Sequence, residues 1–145
     1  MREILFRGKR IDKGDWVEGS LVVAGDYCCI LPADENSVHP TEYPYLNPEI
    51  GTIDGHLFPA DPSTVGQFTG LTDKNGKKIF EGDILFCTRE IGMGYREFCG
   101  KVVYKAPKFY VDCGNTVLPL DCDNEKPDFT IIGNIYDNPE LLEEK

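Results

Sequence analysis

No stretch of the 145-residue chain is uninterruptedly apolar for longer than the five residues Tyr27–Leu31. A helix that spans a bilayer needs about 20, so no such helix is expected. The opening MREILFRGKR has neither an apolar core nor a small-residue cleavage site, which predicts an unexported, cytoplasmic protein with no membrane partner. There is no Cys-x-x-Cys among the six cysteines, at positions 28, 29, 87, 99, 113 and 122. Vicinal Cys28 and Cys29 on a strand would point to opposite faces and could not share one ion. Reduced thiols and no zinc are expected. Only two histidines are present, His39 and His56, both in proline-rich sequence without a ligand partner at useful spacing, so no metal and no other cofactor is expected. The three serines, Ser20, Ser37 and Ser63, lie outside any nucleophile-elbow context, and no catalytic residue is assigned.

Lysine and arginine are missing altogether from residues 21 to 73, which carry eight acidic side chains. Residues 109 to 145 are also acidic, with net charge −7, whereas residues 74 to 108 carry +4 and residues 1 to 20 carry +1. The total of −10 and the isoelectric point of 4.6 disfavour nucleic acid as a partner, because that affinity draws on cations releasing counterions. Two alternatives stay open. Segments 1–20 and 74–108 could meet as a basic nucleic-acid-binding face. The acidic blocks could instead imitate DNA before a nuclease or repressor.

What is present is strand and turn. Alternation around Ile4 and Phe6, the turn Asp12–Asp15 and the β-branched run Trp16 to Val23 predict a hairpin, with Tyr27 to Leu31 as a third strand. Six prolines between residues 32 and 63 predict a long irregular insertion, with a short helical turn around Pro48 to Ile50. Val65 to Leu71 and Lys78 to Phe80 flank a turn with Asn75-Gly76 at its tip, a strong hairpin signal. The same string, GLTDKNGKK, departs from a phosphate-binding loop in glycine spacing, and Lys78 stands where Ser or Thr would ligate Mg²⁺. Further strands are expected at Ile84 to Thr88, Phe98 to Lys105, Phe109 to Cys113 and Phe129 to Tyr136. Asn138 suits a helix N-cap and Pro139 the first helical position, so residues 138–144 are expected to form a helix whose Leu141 and Leu142 dock on the sheet. The fold class is all-β: a small single-domain barrel or sandwich of short antiparallel strands, with the insertion at 32–63 and a C-terminal helix.

Glu81 and Asp83 flank Gly82 and would share a side of an extended backbone, as paired carboxylates for acid–base work do; the simpler reading is a polar turn before a strand. In residues 74 to 108 cations alternate with aromatics, a composition suited to stacking bases or, with fewer assumptions, to rings in the core and cations in water.

The strings REILFRGKRIDKGDWVEGSL, TVGQFTGLTDKNGKKIFEGDI and IIGNIYDNPELL together closely resemble the YopX-like proteins of bacteriophages and prophages. The resemblance implies a small, mostly β, phage- or prophage-encoded protein working in the host cytoplasm, and it supplies no catalytic residue. The glycines of these motifs read as architecture. Arg7, Gln67, Thr69 and Asn134 are their polar members without an evident packing role, and with Trp16 they are the candidate binding residues. The expected function is therefore a non-enzymatic binding or accessory protein, self-associating through an exposed strand edge or an apolar seam, with a host or phage protein as partner.

Overall fold

The computed structural model describes residues 4–33, 38–39, 57–120 and 129–143. The predicted turn at Pro48 to Ile50, His56, Cys122 and the turn Asn124 to Pro127 lie outside the described residues. The fold is all-β, with antiparallel pairing throughout, and the chain divides into two compact units, residues 1–67 and 68–145.

The first unit is a sheet built on β1 (Phe6–Lys9), β2 (Trp16–Ala24) and β3 (Tyr27–Pro32). The predicted hairpin is there, with Phe6 opposite Gly19 and Lys9 opposite Trp16. Its turn is held by a buried guanidinium. Arg10 lies over the Phe58 ring at 4.5 Å and reaches Asp12 at 3.2 Å and Asp15 at 3.4 Å. Two short pieces of the proline-rich stretch join the sheet, β4 (Val38–His39) on β2 and β5 (Phe58–Pro59) on β3. A proline at the sheet margin is tolerated because its missing N–H faces away from the ladder. After a 3-10 turn at Pro62–Thr64, capped by the Asp61 carboxylate, β6 (Gly66–Thr72) begins against β1. Val17, Ile30, Phe58 and Ala60 are the buried apolar side chains of this unit.

The second unit opens with the β6–β7 hairpin, β7 being Lys78–Phe80, and continues as a five-stranded sheet in the order β11-β10-β9-β8-β12. Its strands are β8 (Asp83–Ile91), β9 (Gly94–Lys105), β10 (Lys108–Asp112), β11 (Val117–Pro119) and β12 (Thr130–Asn134). Leu85, Cys87, Phe98, Val102, Val111, Leu120 and Phe129, with Ile79 from β7, form its core. Truncating a side chain such as Leu85 to Ala costs about 2–5 kcal/mol in sites of this kind.

β8 and β9 run on to the tip at Gly92-Met93, well past the expected ends at Thr88 and Phe98, and pair continuously from Ile84↔Lys101 to Ile91↔Gly94. β10 covers β9 only at Lys101–Lys105, and β12 covers β8 only at Asp83–Phe86. The outer half of the β8–β9 hairpin is thus, among the described residues, a two-stranded ribbon. Its apolar alternation is broken where Arg96 and Glu97 stand exposed, while the Arg89 guanidinium lies over the core ring of Phe129 at 5.2 Å.

The helix α1 (Glu140–Glu143) is shorter than the predicted 138–144, and Asn138 does not cap it. The Asn138 Oδ1 accepts instead from the Asn134 N–H at 3.2 Å, while the Leu141 and Leu142 N–H groups bond to the carbonyls of Asn138 and Pro139. With Asn138 pulled back onto the end of β12, the helix starts at Glu140 instead of directly after Asn138.

Candidate functional site

Two aspartates organise the glycine-marked stretch of the second unit. Asp73 is 1% exposed, and its Oδ1 accepts from the N–H groups of Asn75 at 2.8 Å and Lys77 at 2.9 Å. Its Oδ2 accepts from Ile131 N–H at 3.1 Å, fastening the turn to β12 across 58 residues of sequence. Burial alone pushes this carboxyl up, but the three amides and the Lys77 cation outweigh it and hold its pKa below the ordinary carboxylate value. Asp83, equally buried, accepts from Phe80 N–H at 2.8 Å. Gly82 between them has φ +89°, donates to the Val102 carbonyl and accepts from the Ile135 N–H. A Cβ there would meet the Tyr136 ring at 3.0 Å, so both conformation and space call for glycine. Glu81 therefore lies in a turn, and Asp83 opens β8 with its carboxylate tied to the Phe80 N–H before that turn. Among the described residues no group of three or more His, Cys, Asp or Glu is placed to hold a metal ion.

The five residues singled out from sequence fall in different places. Arg7 and Trp16 come together in the first unit, where the Arg7 guanidinium lies 4.7 Å from the indole centroid and the Lys9 ammonium 5.6 Å from it. Such stacking contributes about 0.5–1 kcal/mol at exposed sites. Gln67 sits opposite Phe6 in the β1–β6 register. Thr69, in the second unit, donates to the Ile79 carbonyl at 2.9 Å and accepts from Leu71 N–H at 3.2 Å, bridging the hairpin where its register shifts. Asn134 accepts from the N–H groups of Tyr136 and Asp137 and donates to the Asp137 carboxylate. Thr69 and Asn134 thus have their polar atoms directed at local backbone and an immediate neighbour.

A concave feature of the second unit lies elsewhere. A groove of about 570 Å³ beside β9 is lined by Arg96, Phe98, Lys101, Asp112 and Asn115 and by Leu141 and Leu142 of α1. Asp112 is engaged in its own turn, accepting from Gly114 N–H at 3.0 Å. Arg96 lies over the Phe98 ring at 5.4 Å. Sequence reasoning contained this site in separate pieces: Arg96, Phe98 and Lys101 as part of the cation–aromatic alternation, and the two leucines as a helix face. What it lacked was the register that ends β10 at Asp112 and leaves β9, among the described residues, without a second strand partner beyond it. Rings and cations of that alternation sort only partly, Phe80 and Phe98 being buried while Tyr95 and Tyr104 are exposed.

The cysteines at 28, 29, 87, 99 and 113 are not in disulfides. Burial, and then the neighbouring Cys29, push the Cys28 thiol above its ordinary value, which favours its protonated form.

The sequence model of the YopX protein family matches residues 5–143. The chain belongs to the YopX family. Among solved structures it is similar to the crystal structure of protein EF1440 from Enterococcus faecalis, with 21% identity, coverage of 98% of this chain and 99% of that one, and a TM-score of 0.55. At that identity the likeness concerns the fold alone. A search of curated proteins returned no match. The strings that carry the YopX resemblance are the ones whose Asp73, Gly82, Asp83 and Asn134 build turns. No helix among the described residues is long and apolar enough to cross a membrane.

Proposed function

We propose that this YopX-family chain is a phage- or prophage-encoded binding or accessory protein that acts in the host cytoplasm without catalysing a reaction, and that it self-associates. The observation that supports this reading is the use of the polar side chains in the family-like motifs: Asp73, Asp83, Thr69 and Asn134 accept backbone N–H groups of their own turns. A group that holds a turn in this way is poorly placed to move a proton or attack a substrate. The open features of the second unit, a ribbon and a groove beside a strand edge, suit contact with another chain.

The test is affinity purification of the tagged chain from host cells after prophage induction, with and without nuclease, followed by light scattering of the chain alone. The expected result is a protein retained in fixed stoichiometry after nuclease treatment, and a mass above that of the monomer. Retention of nucleic acid that falls steeply with salt would replace this reading with nucleic-acid binding. A strict monomer at high micromolar concentration would remove self-association.

A further inference from the structure

We infer that residues 20–24, the outer half of β2, receive a second copy of this chain, the two edges pairing antiparallel about a two-fold axis that runs between their Val22 residues. The inference rests on the proposed self-association and names the surface that carries it.

Pairing decides which backbone groups face outward. β2 and β3 close on Ala24↔Tyr27 with two residues between them. In a two-residue hairpin the closing pair exchanges both hydrogen bonds, as does every second pair below it, here Val22↔Cys29 and Ser20↔Leu31. The N–H and C=O groups of Leu21 and Val23 therefore point away from β3. On that side β1 reaches only to Gly19, opposite Phe6, and Ile4 and Leu5 before it belong to no strand. Among the described residues no strand lies against residues 20–24 there.

A bare edge is a template for pairing, and sheets ordinarily blunt it with proline, charge, a bulge or brevity. The other uncovered edges among the described residues do so. β5 and β11 end on Pro59 and Pro119, β4 and β7 are two and three residues long, and β6 and β12 carry register shifts. The β8–β9 ribbon bears the exposed charges of Glu90, Arg96 and Glu97. Residues 19–25 have no charge and no proline, and residues 19–24 pair with β3 without a break. Val22 and Val23 there are 38% and 64% exposed.

This edge fits its own copy. Molecules of net charge −10 repel, so two of them meet closely only where acidic side chains are missing, and an uncharged window holds nothing that would select a charged partner. Pairing Leu21 with the partner's Val23 is the antiparallel register that engages the outward groups of both residues on both copies. It sets Val22 against the partner's Val22 in a non-hydrogen-bonded pair, with Cα atoms about 4.5 Å apart and their side chains in contact. Val23 then packs beside the partner's Leu21, which is partly buried against the core of its own unit. The same register brings the partner's Asp26 level with Glu18, which stands opposite Arg7, so each end keeps one net negative charge and salt should tighten the pair. One pairing uses up both edges, which closes the assembly at two copies. A strand edge this short makes an interface below the standard size of about 1,200–2,000 Å², so the monomer–dimer equilibrium should fall in the micromolar range.

The test is sedimentation of the full chain from low to high micromolar concentration, where the mass is expected to rise from one copy towards two, more readily in added sodium chloride. Val23→Pro removes an outward N–H and leaves the β2–β3 ladder whole, so it should melt like the parent and dissociate at least about tenfold more readily. Val22→Lys and Val22→Glu should each weaken the dimer about fivefold by setting like charges opposite one another, and their equimolar mixture should restore it. In amide exchange of the parent, the N–H groups of Leu21 and Val23 should slow with concentration while that of Val22, bonded to β3, does not.

A parent that stays monomeric overturns this inference and self-association together, and leaves the binding-protein reading to the host-cell capture. A folded Val23→Pro that dimerises like the parent, or a mixture of the two charged variants that gains nothing, excludes this edge and leaves self-association standing. Growth beyond two copies, or a dimer that salt weakens, also overturns the pairing. If Val23→Pro instead melts lower while the parent is monomeric, the edge belongs to a segment of the same chain. If Val23→Pro loses a captured host protein that a monomeric parent holds, the edge belongs to that protein. Either result overturns the proposal, and should Val23→Pro not fold, the charged pair and the amide exchange decide it.

Discussion

At the residue scale the most consequential side chain is Asp73, which accepts three backbone N–H groups while almost wholly buried. Asp73→Asn puts an amide donor where one of those N–H groups needs an acceptor, and a buried donor left unpaired costs about 1–3 kcal/mol. We expect urea unfolding at pH 7 to show a loss of that size. The folded pKa of Asp73 lies below its unfolded value of about 3.9. Its contribution is therefore fully present above that pH and is lost as pH falls through the lower folded value. The difference between parent and variant should shrink below about pH 4, and a difference constant from pH 7 to pH 3 would exclude this role. The sequence half-disclosed it. Asp73-Lys74-Asn75-Gly76 reads as a turn, since an Asp side chain bonds backbone amides a few residues on. Nothing local could reveal the third partner, Ile131, because that contact exists only once β12 is in place.

At the scale of elements, a strand was legible where one of its faces is buried and obscure where neither is. The β1–β2 and β6–β7 hairpins show alternation and turn residues together, and both formed as read. Beyond Cys87 and Phe98 the ribbon meets the core through the Arg89 guanidinium over the Phe129 ring, so no apolar period marks it. There Arg89 stands directly opposite Arg96, a like-charge pairing that weakens a sheet. β11 went unseen because it is three residues long and ends on Pro119. The helix was misjudged in length because Asn138, a good cap by composition, has a stronger claim on it from the end of β12. The candidate groove was unreadable for a similar reason, since it depends on where β10 stops. Amide exchange should separate the two halves of the hairpin. The N–H groups of Arg89 and Arg96 are expected to exchange at least about tenfold faster than that of Leu85, which lies between β9 and β12. Uniform protection along β8 and β9 would show that the ribbon is covered.

For the whole molecule, the charge of −10 was plain in the sequence, as was the all-β class that repeated short strands and turns implied. Self-repulsion at that charge opposes the compact state. Salt shortens its reach, the Debye length falling from about 10 Å at 0.1 M to about 3 Å at 1 M. Calorimetry in increasing sodium chloride at pH 7 is expected to show Tm rising with salt. A falling Tm would mean that attractive pairs such as Arg10 with Asp12 and Asp15 outweigh the net repulsion.

The tip at Gly92-Met93 differs from the turns around Asp73 and Gly82 in a way that matters to anyone who wants to modify this protein. Gly82 is stitched by its amide and its carbonyl to two other segments, and Asp73 clamps its own loop to a distant strand. The residues between Ile91 and Gly94 lean on nothing: Met93 is fully exposed, and a Cβ on Gly92 would meet no atom within 4 Å. A short epitope or a fluorophore-bearing loop should be accommodated at that apex without harm to the sheet, and spliced in at residues 81–82 it should prevent the second unit from assembling.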